Sequence, residues 1–194
     1  SACLVGLGDV YKRQEMFPVE KFIDEDHLDI TVYNRGIGGF ITDELLENVD
    51  VCILDLKPSR LFINIGTNDL SDPAISIDRM IANYDRILSI VENKLPDIEI
   101  YMMAYYPINY EAAAEEMKPC LRVRTNGKIA MANKAVQELA ERHHAKYIDI
   151  NDPLKDRDGN LKAEYTIEGM HIKEEGYRAI FDLFMGYAKE PRWK

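Results

Sequence analysis

Apolar and polar positions alternate between two rhythms along the chain. Short runs that stay apolar on both parities read as strands buried on two faces. The clearest is Leu61–Ile65, with β-branched Ile63 and Ile65, ended by Gly66. Four others are Cys3–Asp9, the weakly alternating Asp29–Tyr33, Ile98–Tyr105 ahead of Pro107, and Lys146–Ile150. Between them the spacing changes to three and four, the period of a helix with one apolar face. This predicts helices over Val19–Asp26, from Thr42 through Leu45, Leu46, Val49, Ile53 and Leu56, and from Ile77 to Leu95 before Pro96. Ile129, Ala132, Val136, Leu139 and Ala140 mark another, and a last helix runs from about Lys173 to Ala188. Asn109–Cys120 reads as an irregular loop near the site, and Asn151–Glu164 as a polar stretch with an Asp158-Gly159 turn. Strands alternating with helices predict one α/β domain of three layers, with a parallel sheet of about five strands covered on both faces.

Composition narrows the partners. The net charge of -10 argues against nucleic acid, which needs clustered Lys and Arg, and against an anionic membrane surface. No apolar run is long enough to span a bilayer, so no membrane insertion is expected. Cys3, Cys52 and Cys120 are far apart in sequence and form no CxxC pair, which fits reduced thiols. With no recognisable secretory signal, they predict a cytoplasmic location. The histidines and cysteines show no metal-ligand spacing, so neither a metal nor another cofactor is expected. His143 and His144 sit near a helix C-terminus, where positive charge is favourable in any case, and His27 lies in an acidic segment.

Two stretches hold candidate chemistry. Gly66-Thr67-Asn68-Asp69 follows the clearest strand, and in open α/β sheets ligands bind beyond the carboxyl ends of strands. The Asn68 amide can donate hydrogen bonds to a developing oxyanion, or Asn68 and Asp69 can simply shape a turn. In Thr166–His171, Glu168 and His171 are three apart ahead of the last helix. A carboxylate there can orient an imidazole as a general base, or both can be solvated residues of a helix-entry loop. Asn34–Gly39 (NRGIGG) turns sharply but is not GxGxxG, so no dinucleotide fingerprint is present.

Together these stretches resemble the blocks of the SGNH hydrolases, the GDSL-type esterases. The resemblance covers about residues 15–188 and implies a flavodoxin-like α/β/α sandwich. It places the oxyanion donors on Gly39 N–H and the Asn68 side chain. His171 becomes the general base and Glu168 its acid, where the family has aspartate. The implied activity is hydrolysis of a small-molecule ester, acyl or acetyl, by a Ser-His-acid mechanism.

One block departs from the family. The nucleophile block should read Gly-Asp-Ser, and Gly8-Asp9 is followed by Val10, which has no nucleophilic atom. The family also continues within a residue or two into a stretch like Glu15-Met16-Phe17-Pro18. Residues 1–14 therefore read as a non-native or degenerate segment, similar to translated sequencing-adapter sequence, ahead of one domain over 15–194. On that reading the chain as it stands is an impaired esterase. Ser1, Ser59, Ser71, Ser76 and Ser89 all fall away from the expected nucleophile position. The rival readings are a catalytically dead module binding acylated carbohydrate or lipid, and an unrelated flavodoxin-like domain binding a phosphate or nucleotide.

Overall fold

The computed structural model describes residues 1–6, 17–36 and 38–194. Five strands, β1 (Ala2–Gly6), β2 (Val32–Asn34), β3 (Arg60–Asn64), β4 (Glu99–Met103) and β5 (Lys146–Ile148), form one sheet in the order β2-β1-β3-β4-β5. Every pairing is parallel. This strand order is that of the flavodoxin-like doubly wound sheets.

The strands read as apolar on both parities because both faces are covered. Cys3, Val5, Leu61, Ile63, Ile100 and Met102 face one core. Ala2, Leu4, Phe62, Tyr101, Met103 and Ile148 face the other. The first core is closed by α2 (Thr42–Glu47), α3 (Val49–Cys52), α4 (Ile77–Lys94), α5 (Lys118–Val123) and α6 (Asn126–Arg142), the second by α1 (Val19–Glu25) and α7 (Glu174–Ala188). The Phe62 and Tyr101 rings stack at 4.4 Å between centroids, and Phe184 of α7 lies 4.7 Å from Phe62.

The structure shifts some expected boundaries. β1 ends at Gly6, and residues 7–9 of the strand expected over Cys3–Asp9 lie outside the described residues. β2 begins at Val32 rather than Asp29. The helix expected from Thr42 to Leu56 is three pieces: α2, α3 and a 3₁₀ turn over Leu54–Leu56. Asn48 breaks it at φ −122°, with its side-chain amide donating to Glu44 O at 2.8 Å, a local bond that competes with the helix ladder. Lys57, left-handed at φ +45°, ends the segment. The stretch Asn109–Cys120, expected to be irregular, runs into α5, where Pro119 sits in the first turn and needs no N–H partner.

At the N-terminal edge of the sheet, Arg60 and Glu99 are register partners on β3 and β4. Arg60 Nε donates to Glu99 Oε2 at 2.8 Å, and its Nη atoms donate to the carbonyls of Tyr187, Ala188 and Glu190 at the end of α7. The other carboxylate oxygen, Glu99 Oε1, accepts from the amides of Trp193 and Lys194. Glu99 is fully buried. Burial pushes its carboxyl up, but the two amides, Arg60 and Arg192 outweigh burial and hold it below the usual carboxylate range.

Candidate active site

Three loops at the C-terminal edge of the sheet hold the expected site residues. The first leaves β2. Asn34 shapes its start: its Oδ1 accepts from Gly36 N at 3.1 Å and its Nδ2 donates to Phe17 O at 2.8 Å. Gly39 follows at φ +80°, a left-handed conformation that suits glycine.

The second loop leaves β3. Gly66 stands at φ +117°, and a Cβ there would come within 2.6 Å of both Met80 Sδ and Tyr105 OH. Tyr105 OH donates to Ile65 O at 2.6 Å and Leu70 N to Gly66 O at 3.0 Å, so the turn is held from both sides. Asn68 Nδ2 donates to Phe40 O at 3.1 Å. An amide NH₂ has two hydrogens, so this bond leaves the second to point elsewhere. It also sets the Asn68 side chain against the loop that carries Gly39.

Asp69, a turn former by its place in the sequence, ties the same loops more tightly. Its Oδ2 accepts from Thr42 N at 3.0 Å and its Oδ1 from Thr42 Oγ1 at 2.5 Å. Asp69 is 1% exposed. Burial raises its carboxyl above the ordinary range, against the lowering effect of the Thr42 bonds. Nothing in the local sequence could have signalled a partner 27 positions away.

The third loop precedes α7. Thr166 and Ile172 form an isolated antiparallel bridge across it. Met170 is buried in the first core and Ile172 in the second, so the loop crosses the end of the sheet with His171 between them. Glu168 Oε1 lies 2.6 Å from His171 Nδ1 and also accepts from His171 N at 2.7 Å. Both side chains are mostly buried, at 15% and 16% exposure. Burial pushes the Glu168 carboxyl up, but the bonds from the His171 ring and amide outweigh it and hold the group below its usual value. An ionised Glu168 accepts, so Nδ1 carries the hydrogen and Nε2 is the basic nitrogen of the neutral ring.

This loop admits only glycine at position 169. Gly169 stands at φ +96°, and a Cβ there would lie 2.4 Å from Asn109 O and 2.9 Å from Ala113 Cα. Its N donates to Thr166 Oγ1 at 2.9 Å, and its O accepts from Asn109 N at 2.7 Å. Gly169→Ala should therefore cost at least about 1–3 kcal/mol and displace the His171 loop. Urea unfolding together with the histidine ring resonances would show both effects.

Ser59 and Ser89 lie away from this edge, whereas Ser71 ends the 3₁₀ turn Asp69–Ser71 of the second loop and Ser76 opens α4 beyond it. Ser59 bonds to Ser1 at the opposite end of the strands, Ser76 caps α4, Ser89 lies within α4, and the Ser71 hydroxyl accepts from Arg124 at 2.6 Å. Burial pushes the Cys3 thiol up to about 12 and raises Cys52, which keeps both protonated. His143 sits between Glu92 and Asp85 of α4, and His27 and His144 both take left-handed backbone angles. Among the described residues no group of three or more His, Cys, Asp or Glu is arranged to hold a metal ion, and no helix is long and apolar enough to cross a membrane. Gly8, Asp9 and Val10 lie outside the described residues. β1, which precedes them, runs between β2 and β3, the strands that launch the Gly39 and Asn68 loops.

Comparison with known proteins identifies the family and the fold. The model of the GDSL-like lipase/acylhydrolase family matches residues 19–179. The Bacillus subtilis lipoprotein YqeF, itself uncharacterized, is 26% identical over 200 residues, which take in 90% of this chain and 79% of that protein. A Streptococcus pneumoniae structure, described as a candidate platelet activating factor, is 30% identical with a TM-score of 0.82, covering 96% of this chain and 82% of that one. An acetylxylan esterase of Geobacillus stearothermophilus has a TM-score of 0.70 over 99% of this chain and 96% of its own, and at 16% identity that likeness is one of fold. With the family matched across most of its length and the same sheet beneath the three loops, the chain belongs to the GDSL-like lipases and acylhydrolases.

Proposed function

We propose that this site is that of a carboxylic ester hydrolase for small acyl or acetyl esters, built for a Ser-His-acid mechanism and impaired in this chain because Val10 stands where the serine belongs. The observation that supports the reading best is the Glu168–His171 pair, with one carboxylate oxygen fixing both the ring and the backbone of the same histidine. In the complete mechanism a serine at position 10 attacks the ester carbonyl, His171 Nε2 takes its proton and gives it to the leaving alcohol, and a water deprotonated by the same nitrogen then attacks the acyl-serine, releasing the carboxylic acid and returning the proton to the serine. Ionised Glu168 orients the ring and stabilises the imidazolium. Gly39 N–H and the remaining Asn68 Nδ2 hydrogen receive the oxyanion. No metal or other cofactor enters these steps.

Residues 1–14 fit the reading of a non-native or degenerate segment ahead of a domain over 15–194, although Ala2–Gly6 supply β1 of the sheet. Small esters are the expected partners. The free cysteines support a cytoplasmic location, while the lipoprotein name of the Bacillus relative makes cell fractionation the deciding measurement. Val10 itself favours a second reading, a non-catalytic module that keeps the pocket for acylated carbohydrate or lipid. The intact Glu168–His171 pair weighs against it, because a binder has no use for an oriented base.

The test is hydrolysis of p-nitrophenyl acetate by three proteins: the chain as it stands, a serine-bearing version in which a Gly-Asp-Ser start runs within two residues into Glu15, and that version with His171→Ala. Turnover in the serine-bearing version alone, lost with His171, is the expected result. His171-dependent turnover by the unaltered chain would mean that another nucleophile is in use. Inactivity of all three would favour the binding module.

A further inference from the structure

Asn83 lies on α4, outside every motif discussed above, and is 8% exposed. Its Nδ2 donates to Thr42 Oγ1 at 3.1 Å and to Asp43 Oδ1 at 2.8 Å. Arg79, one turn earlier on the same helix, pairs with Asp43 at 2.6 Å. The Asn83 amide nitrogen can only donate, so the Thr42 hydroxyl must accept from it and send its own hydrogen to Asp69 Oδ1. The direction of each bond in the chain Asn83–Thr42–Asp69 is thus fixed by chemistry. Asp69 adjoins Asn68, and Thr42 is two residues from Phe40, which anchors the Asn68 side chain and adjoins Gly39. Three hydrogen bonds therefore join residues 68–69 to residues 40–42, and α4 fixes the middle of the joint.

We propose that Asn83, Thr42 and Asp69 are positioning residues that set the spacing between Gly39 N–H and Asn68 Nδ2. This rests on the reading of those two groups as oxyanion donors. Thr42 is fully buried, so the joint is shielded from competing water. Donors of this kind act through fixed placement, and a shift on the order of 1 Å from a distant substitution can cost about a hundredfold in rate. Such a shift lowers turnover while leaving ground-state binding nearly intact.

Thr42→Val keeps the shape of the side chain and removes its hydroxyl, whereas Thr42→Ser keeps the hydroxyl. In the serine-bearing version, Thr42→Val is expected to lower kcat for p-nitrophenyl acetate by about a hundredfold at a KM changed less than about twofold, with Thr42→Ser recovering most of the loss. Asn83→Leu, which leaves both bonds between Thr42 and Asp69 in place, is expected to cost about tenfold and serves if Thr42→Val does not fold. In the unaltered chain, ¹H–¹⁵N spectra should show the Gly39 amide and the Asn68 side-chain amide shifted by Thr42→Val and Asn83→Leu, and little changed by Thr42→Ser. Unmoved Gly39 and Asn68 signals, or an unchanged kcat in a folded Thr42→Val or Asn83→Leu protein, would overturn the proposal. If the serine-bearing version hydrolyses nothing, the hydrolase reading fails, and the spectra alone still decide whether the joint positions the two loops.

Discussion

Glu168→Ala in the serine-bearing protein lowers kcat by about three to four orders of magnitude, and Glu168→Gln by at least about tenfold less. The difference comes from the shared oxygen. Glu168 Oε1 accepts from His171 N as well as facing His171 Nδ1. A glutamine that turned its NH₂ to the ring would also set it against the backbone N–H, donor against donor. It therefore keeps its carbonyl oxygen there, preserves the tautomer in which Nδ1 carries the hydrogen, and loses only the charge that stabilises the imidazolium. Alanine loses the charge and the orientation together. Equal losses for the two variants in steady-state kinetics would show that the backbone bond does not choose the rotamer. The same pair predicts a pH effect on stability. The folded Glu168 carboxyl lies below its ordinary value, so its stabilisation is present above the ordinary carboxylate range and is lost as pH falls through the lowered value. Urea midpoints of the parent should fall toward those of Glu168→Gln as the solution is acidified.

Glu99→Ala is the most damaging single substitution expected for stability, at about 3–5 kcal/mol, or roughly 6–20 °C in Tm for a chain of this size. Arg60 is 7% exposed, and Glu99 is its carboxylate partner in the sheet edge. Removing the carboxylate leaves a buried guanidinium without its counter-charge and frees the amides of Trp193 and Lys194 from their acceptor. Removing both partners is different, because two apolar side chains of similar volume bury no charge. The pair Arg60→Met with Glu99→Leu should therefore recover much of the loss seen by thermal melting. A double variant no better than Glu99→Ala would show that the anchoring of residues 190–194, rather than the uncompensated charge, is what matters.

The sheet and its helices were legible because they are written in local periodicity. Leu61–Ile65 is apolar on both parities since β3 is covered twice, and Ile77, Ile81, Tyr84 and Leu88 trace the inner face of α4. The break at Asn48 was hidden because Leu45, Val49, Ile53 and Leu56 keep helical spacing while a side chain and a left-handed Lys57 end the ladder. Within the site, Glu168 and His171 are three apart and could be paired from sequence alone. Thr42 with Asp69, Asn83 with Thr42, and Asn109 with Gly169 are 27, 41 and 60 positions apart, and no spacing rule reaches that far. The residues proposed to bear chemistry are thus easier to read from sequence than their long-range partners.

The crossing of the third loop over the end of the sheet has a dynamic consequence. With Met170 set in one core and Ile172 in the other, the loop cannot swing out as a flap without withdrawing apolar groups from both. Amide exchange across Met170–Ile172 is therefore expected to be nearly as slow as in the strands, because a local opening would expose both side chains. A destabilising change in either core should then speed exchange at His171 together with the strands.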